Sequence, residues 1–388
     1  MTARPLPARG DAVALAQALV RIDSVNPTLT PGGAGEIEAA EFLDSTLRAW
    51  GFDSRIIEAA PGRPNVVATS GNGPRSIILN GHLDVVGTEG MTHPPFDAAM
   101  TNGRIYGRGS SDMKGGIASM CAAAARSRDA GDDLRIVIAA VCDEEYESIG
   151  TRELLKSGVT ADAAIITEPT RLAIAPAHRG FSWIDIEFKG VAAHGSRYDV
   201  GVDAITHAGL LLAELHTFNT KVLAHRNHPL LGHASLHASL IHGGTGMSTY
   251  PDSCVLSVER RTLPGDAVTG FAEIEAALEH ISSRTPNVSA TISLRTHQLP
   301  SNVHESAPIV RTLAAAIRDE GIEQRIEGFT AWTDAALFNE AGIPAICFGP
   351  GDIALAHAAE EYVDISEIET ATNVLTRLLK LWSEPGHG

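Results

Sequence analysis

The tripeptide His82-Leu83-Asp84 closes a short apolar run, Ile77-Ile78-Leu79. Side chains two apart on a strand point to the same side, so this imidazole and carboxylate can work together. One can ligate a metal while the other anchors it, because a coordinating histidine commonly gives its second ring N–H to a carboxylate. In isolation such a pair is far more often an ordinary buried hydrogen bond. Further along, Glu144-Glu145 follow the apolar run 136–141, with Asp143 and Glu147 close by. Two carboxylates at a strand exit repel each other unless solvent, a proton or a cation separates them. A cation would let one ligate while the other accepts a proton from water. Glu168-Pro169 adds a carboxylate after the run 163–167, and His357 follows Gly349-Pro350-Gly351-Asp352. Asp112 lies in the glycine-dense stretch 107–116. It is either a helix cap or a carboxylate whose flanking glycines let the backbone approach an ion. Two imidazoles and several carboxylates, with no cysteine among them, match the nitrogen and oxygen donors of a catalytic zinc site.

These residues need a scaffold that brings them together. The runs 77–79, 136–141, 163–167 and 345–348 read as buried strands alternating with helical patterns, which predicts an α/β fold with a mostly parallel central sheet flanked by helices. Each run ends in polar or turn chemistry, and in open α/β sheets the ligand crevice lies beyond the carboxyl ends of the strands. Helices are expected at 13–22, 36–50, 309–320 and 365–382. Between 179 and 292 the texture changes. The segment 181–188 alternates with period two, helices are expected at 204–218 and 271–281, and strands at 253–260 and 289–294. This predicts an inserted α+β module at 179–292 within a discontinuous domain formed by 1–178 and 293–388.

Composition narrows the function. The chain has 388 residues, 44% hydrophobic and 20% charged, so it can bury two cores. Its net charge of −17 repels phosphate backbones and anionic lipid, which argues against nucleic acid and membrane partners. Four cysteines lie far apart without C-x-x-C spacing, and the N-terminus carries no apolar leader-like stretch. A cytoplasmic location is expected. The glycine stretch lacks the spacing of a phosphate cradle, and no G-x-G-x-x-G with a suitably placed acid follows the first strand, which weighs against a dinucleotide oxidoreductase.

The ordered blocks Gly81-His82-Leu83-Asp84-Val85-Val86, 107–116, Asp143-Glu144-Glu145, Thr167-Glu168-Pro169-Thr170, Gly190-Val191-Ala192-Ala193-His194-Gly195-Ser196 and Gly349-Pro350-Gly351 with His357 resemble the metal-dependent amidohydrolases and exopeptidases. That group includes acetylornithine deacetylase, succinyl-diaminopimelate desuccinylase, aminoacylase and glutamate carboxypeptidase. The resemblance spans nearly the whole chain. It implies two divalent ions, zinc first and cobalt or manganese as alternatives, sharing Asp112. His82 and Glu168 would complete one site, and Glu145 and His357 the other. Asp84 would support His82, and Glu144 would act as general base and acid. The inserted module resembles a lid that also forms a homodimer interface, with His194 reaching the partner's active site to stabilise the oxyanion. Arg261 matches the arginine for a substrate carboxylate, although Arg260 beside it leaves that choice open. Ser248 stands where many relatives carry asparagine, and Tyr198 where many carry proline, so the substrate pocket is expected to differ.

The expected activity is hydrolysis of the amide of a small N-acylated amino acid. The alternatives are carboxypeptidase cleavage of a small peptide or folate-like conjugate and, from another class, a non-catalytic metal- or ligand-binding scaffold. Glu168 favours the acylase and carboxypeptidase branch, since related aminopeptidases and dipeptidases tend to carry aspartate there. Six histidines between His216 and His242 share neither helical spacing nor nearby cysteines and read as solvated surface.

Overall fold

The computed structural model describes residues 5–266 and 269–384; Met1–Arg4, part of the segment read for a leader, lie outside them. The chain divides into two compact units. One comprises Met1–Pro176, Val303–Phe329 and Thr333–Gly388, and the other Ala177–Asn302 with Thr330–Trp332.

In the larger unit the four apolar runs become adjacent parallel strands in the order Leu134–Val141, Arg75–His82, Ala164–Ile166 and Ala345–Cys347. Antiparallel strands Arg63–Ser70 and Asp53–Ala60 extend the sheet on one side, and Ile174–His178 pairs antiparallel with Ala345–Cys347 on the other. Ile77, Leu79, Ile136, Ile138 and Ile165 share one core with the helices Ala12–Val20, Gly115–Ala130, Pro308–Asp319 and Ile365–Ser383. Ile78 and Val137, on the opposite sheet face, are also buried. Coverage on both faces is why these strands read as continuous apolar runs rather than alternating ones.

Local chemistry fixes several boundaries. Asp11 caps the first helix by accepting the Ala14 N–H at 2.9 Å, and Pro308 opens the helix Pro308–Asp319, where its missing N–H costs nothing. Gly116 is required by close approach. A Cβ there would sit 2.0 Å from the Thr167 carbonyl oxygen, so glycine lets the helix behind Asp112 press against the strand end that carries Glu168.

The smaller unit is a four-stranded antiparallel sheet in the order Ser235–Gly243, Ser253–Thr262, Gly180–Lys189, Ser289–Gln298. Ile184, Ile186, Phe188, Leu256 and Val258 form a second core with Leu211 and Leu215 of the helix Ala204–Lys221 and Ile274 and Ile281 of the helix Phe271–Arg284. The strand Ser289–Gln298 pairs with Gly180–Lys189 over its length, so the chain leaves this unit after 302. The strand Ser235–Gly243, within the histidine-rich stretch, leaves no sustained apolar alternation in the sequence because seven of its nine residues are exposed. Among the described residues, no helix is long and apolar enough to cross a membrane.

Candidate metal centre

His82 ends one parallel strand, Glu144 and Glu145 follow the next, and Glu168 lies two residues past the third. His357 stands in the long loop after the fourth, and the loop before the helix Gly115–Ala130 delivers Asp112. The fold thus gathers all of them at the carboxyl edge of the sheet. His82, Asp112 and Glu168 offer donor atoms within 4.8 Å of one another, and so do Asp112, Glu145 and His357. Asp112 belongs to both groups. Its Oδ1 lies 3.1 Å from His82 Nε2 and its Oδ2 lies 3.6 Å from His357 Nε2. His357 Nε2 also reaches the Glu145 carboxylate at 3.1 Å, and Glu144 Oε2 lies 3.9 Å from His82 Nε2.

Asp84 supports the site differently from the sequence expectation. The Nδ1 of His82 meets the backbone carbonyl of Asp84 at 2.9 Å, whereas the carboxylate stays 3.7 Å away. The carboxylate instead accepts the N–H groups of Glu144 (3.1 Å) and Glu145 (3.2 Å) and so fixes the turn carrying both glutamates. That turn needs φ +65° at Asp143, and His357 sits at φ +60°. Non-glycine residues occupy this left-handed region at a cost of order 1–3 kcal/mol and tend to do so at functional sites.

The electrostatics show a surplus of negative charge. Burial pushes the Glu144 carboxyl well above its usual range; His82 pulls it back, and Glu168, Asp334 and Glu145 push it up further. Burial and the charge of Asp112 do the same to Glu168, and to a lesser degree Glu145. Burial would raise Asp112, but the His82 hydrogen bond together with the charges of His82, His357 and Arg108 holds it low. Hydrogen bonding to Glu145 raises His357 to about 9, and the neighbouring carboxylates raise His82 against its own burial. Buried carboxylates short of positive charge, arranged as two nitrogen–oxygen donor groups sharing one aspartate, fit a pair of divalent cations.

Two residues of this centre carried no sequence signal. Asp334 is buried, accepts the Thr151 hydroxyl at 2.6 Å, and is raised to about 6 by burial. In the sequence it is only an acid before a short helix. Glu361 accepts the N–H groups of Ser111 and Asp112 at 3.0 and 3.2 Å and is paired with Arg108 at 2.6 Å, holding the Asp112 loop.

The remaining candidates lie in the smaller unit. His194 is exposed and its Nδ1 meets Ser196 Oγ at 2.8 Å. Ser248 is exposed, and its carbonyl accepts the Gly195 N–H at 2.8 Å. Arg260 is consumed in the interior, with its side chain fully buried against Asp266 and Glu273. Arg261 remains 32% exposed, pairs with Glu259 at 3.0 Å, and lies over the Phe181 ring at 5.3 Å. Of the two arginines, only Arg261 keeps a guanidinium that a ligand can reach. None of the six histidines 216–242 joins a group of three ligand-type side chains among the described residues.

A pH effect follows for the metal-free protein. Groups with raised pKa bind protons more tightly when folded, so their stabilisation is complete below the unfolded pKa and is lost as pH rises through the folded one. The window runs from 3.8 to about 6 for Asp334 and from 6.5 to about 9 for His357. Asp112 works in the opposite sense, only below its ordinary 3.8. The melting temperature of chelated protein is therefore expected to fall between about pH 5 and about pH 9, with added zinc restoring more at the alkaline end. Thermal unfolding with and without chelator measures this, and a flat profile would contradict the charge surplus.

The fold and the paired donor groups define a metal-dependent hydrolase of amide bonds. The sequence matches Peptidase family M20/M25/M40 over residues 78–381, and the chain belongs to that family. It is 30% identical to an acetylornithine deacetylase of Myxococcus xanthus over 87% of this chain and 90% of that protein. Its fold is similar to a tripeptidase of Staphylococcus aureus, with a TM-score of 0.81 at 19% identity over 98% of this chain and all of that one. It is also similar to a dinuclear metal-binding M20 peptidase of Bacillus subtilis, with a TM-score of 0.71 at 16% identity over 95% and 97% of the two chains.

Proposed function

We propose that this protein is a cytoplasmic, dinuclear zinc hydrolase that splits the amide of a small N-acylated amino acid into a carboxylate and a free amine. The observation that carries this reading is the pair of donor groups joined at Asp112 with Glu144 beside them. His82, Asp112 and Glu168 would hold one ion, and Asp112, Glu145 and His357 the other. The chemistry supplied by such ions is polarisation of the scissile carbonyl and acidification of water to a pKa near ~7.

Glu144 takes the proton from the attacking water. Its carboxyl then holds that proton, which the raised pKa favours, and passes it to the leaving nitrogen as the carbon–nitrogen bond breaks. Asp84 keeps Glu144 in place through its backbone N–H. No protein nucleophile is needed. The substrate α-carboxylate is assigned to Arg261, whose planar guanidinium suits bidentate capture, and Ser248 is assigned as a further substrate-binding residue. His194 of a second copy, paired through the smaller unit as a homodimer, would stabilise the oxyanion.

The deacetylase relatives support an N-acyl amino acid over a peptide. Zinc-loaded protein assayed against N-acetyl amino acids, N-succinyl amino acids and dipeptides is expected to turn over the acyl amino acids and to lose most activity when the α-carboxylate is amidated. Turnover of dipeptides alone would make the protein a peptidase instead.

A further inference from the structure

In the sequence, Asn26-Pro27 looks only like the stop signal of the first helix. In the structure Asn26 is fully buried, and its side-chain nitrogen donates to two carboxylates at once, Asp84 Oδ2 at 2.8 Å and Asp143 Oδ1 at 3.0 Å. Its side-chain oxygen accepts the N–H groups of Thr28 (2.9 Å) and Leu29 (3.3 Å), and its own N–H donates to the Val85 carbonyl at 2.9 Å. These bonds fix which way the amide faces. Flipped, it would set an oxygen against two carboxylates and an NH2 group against two donors.

Arg63 closes the same network from the far side. Its Nε and one Nη grip both oxygens of the fully buried Glu36 at 2.9 and 2.6 Å, and that Nη also donates to Asp143 Oδ1 at 2.9 Å. The other Nη reaches Thr28 Oγ1 at 2.8 Å. One guanidinium and one amide thus hold together Glu36, Asp84, Asp143 and the loop that runs between the first two helices. Asp84 is the link to chemistry, since its two oxygens take the N–H groups of Glu144 and Glu145.

We propose that Asn26, backed by Arg63, is a positioning residue of the hydrolytic site: it orients Asp84 and Asp143 so that one turn presents Glu144 as base and Glu145 as ligand. Without the Asn26 amide, Asp84 and Asp143 face each other with no donor between them. Asp84 is then free to swing toward His82 Nδ1, 3.7 Å away, releasing the turn. Neither Asn26 nor Arg63 touches the reacting atoms. The inference rests on the functional reading above for the roles of Glu144 and Glu145.

The test uses full-length Asn26→Ala and Arg63→Lys proteins, the second retaining charge but not the fork. Zinc affinity is measured by chelator competition on metal-free protein, kcat and KM are measured separately, and folding is verified by thermal unfolding. Both zinc affinity and kcat are expected to fall about 10–100-fold in Asn26→Ala, with KM changed less than about threefold. Arg63→Lys is expected to fall between that variant and the wild type. Folded variants with wild-type zinc affinity and kcat would overturn the proposal and leave the network a purely structural one. A wild-type protein that binds no zinc would instead sink the functional reading. If zinc binds but no acyl amino acid is turned over, the affinity comparison still decides the role of Asn26.

Discussion

A Glu144→Gln protein is expected to keep its metal and lose about 10²–10⁴-fold in kcat, the range a positioned general base contributes. Glutamine preserves shape and the backbone N–H that Asp84 holds, so the turn and the neighbouring Glu145 should stay in place. What disappears is the ability to accept and return a proton. The same change removes an ionisable carboxyl from beside Glu168, Asp334 and Glu145. Because the raised Glu144 pKa means that ionisation opposes folding, the metal-free variant should melt higher than the wild type near neutral pH. Activity and stability are thus expected to move in opposite directions. Steady-state kinetics, elemental analysis of bound metal and thermal unfolding read the three effects. Retained turnover would remove Glu144 from the chemistry, and loss of metal would make it a ligand.

What the sequence revealed was whatever short stretches of chain encode. The four buried strands were legible because parallel strands covered on both faces must be apolar throughout, and their polar endings pointed to the crevice. Helices at 204–218 and 271–281 were legible from apolar spacing and extend to Lys221 and Arg284. The strands Asp53–Ala60 and Arg63–Ser70 were not, because half of Asp53–Ala60 is exposed and only Ser54 is buried, while Arg63–Ser70 buries Arg63, Pro64 and Asn65. The donor residues were visible as types at strand ends, yet what holds them was not. Asn26, Glu36, Arg63 and Asp143 are scattered over more than a hundred positions, and only folding makes them neighbours. Asp84 shows the same limit at close range. Its spacing from His82 was plain, but the use of its carboxylate depended on a turn sixty residues away. Likewise, Arg260 and Arg261 are indistinguishable by type, and strand alternation separates them by pointing one into the core and one out.

Asp112→Asn is expected to be the most damaging conservative change in the chain. Asp112 is common to both donor groups, and its two oxygens face one imidazole each. An amide of the same shape keeps the backbone bonds to Glu361 intact but offers no charge and only one acceptor oxygen. Both metal sites should therefore fail together, with bound metal falling toward zero and turnover dropping below detection. Replacing His357 by Ala touches one donor group only, so it should leave the site of His82 and Glu168 able to bind. The two variants separate a shared ligand from two independent sites: equal metal loss in both would deny Asp112 its bridging place. An independent readout comes from His82, whose raised pKa depends on the Asp112 hydrogen bond opposing its own burial. In metal-free Asp112→Asn protein that imidazole should give up its proton at lower pH than in the wild type, and the stability it contributes while protonated should vanish earlier as pH rises. Proton NMR titration of the metal-free proteins shows whether the His82 resonance moves in that direction.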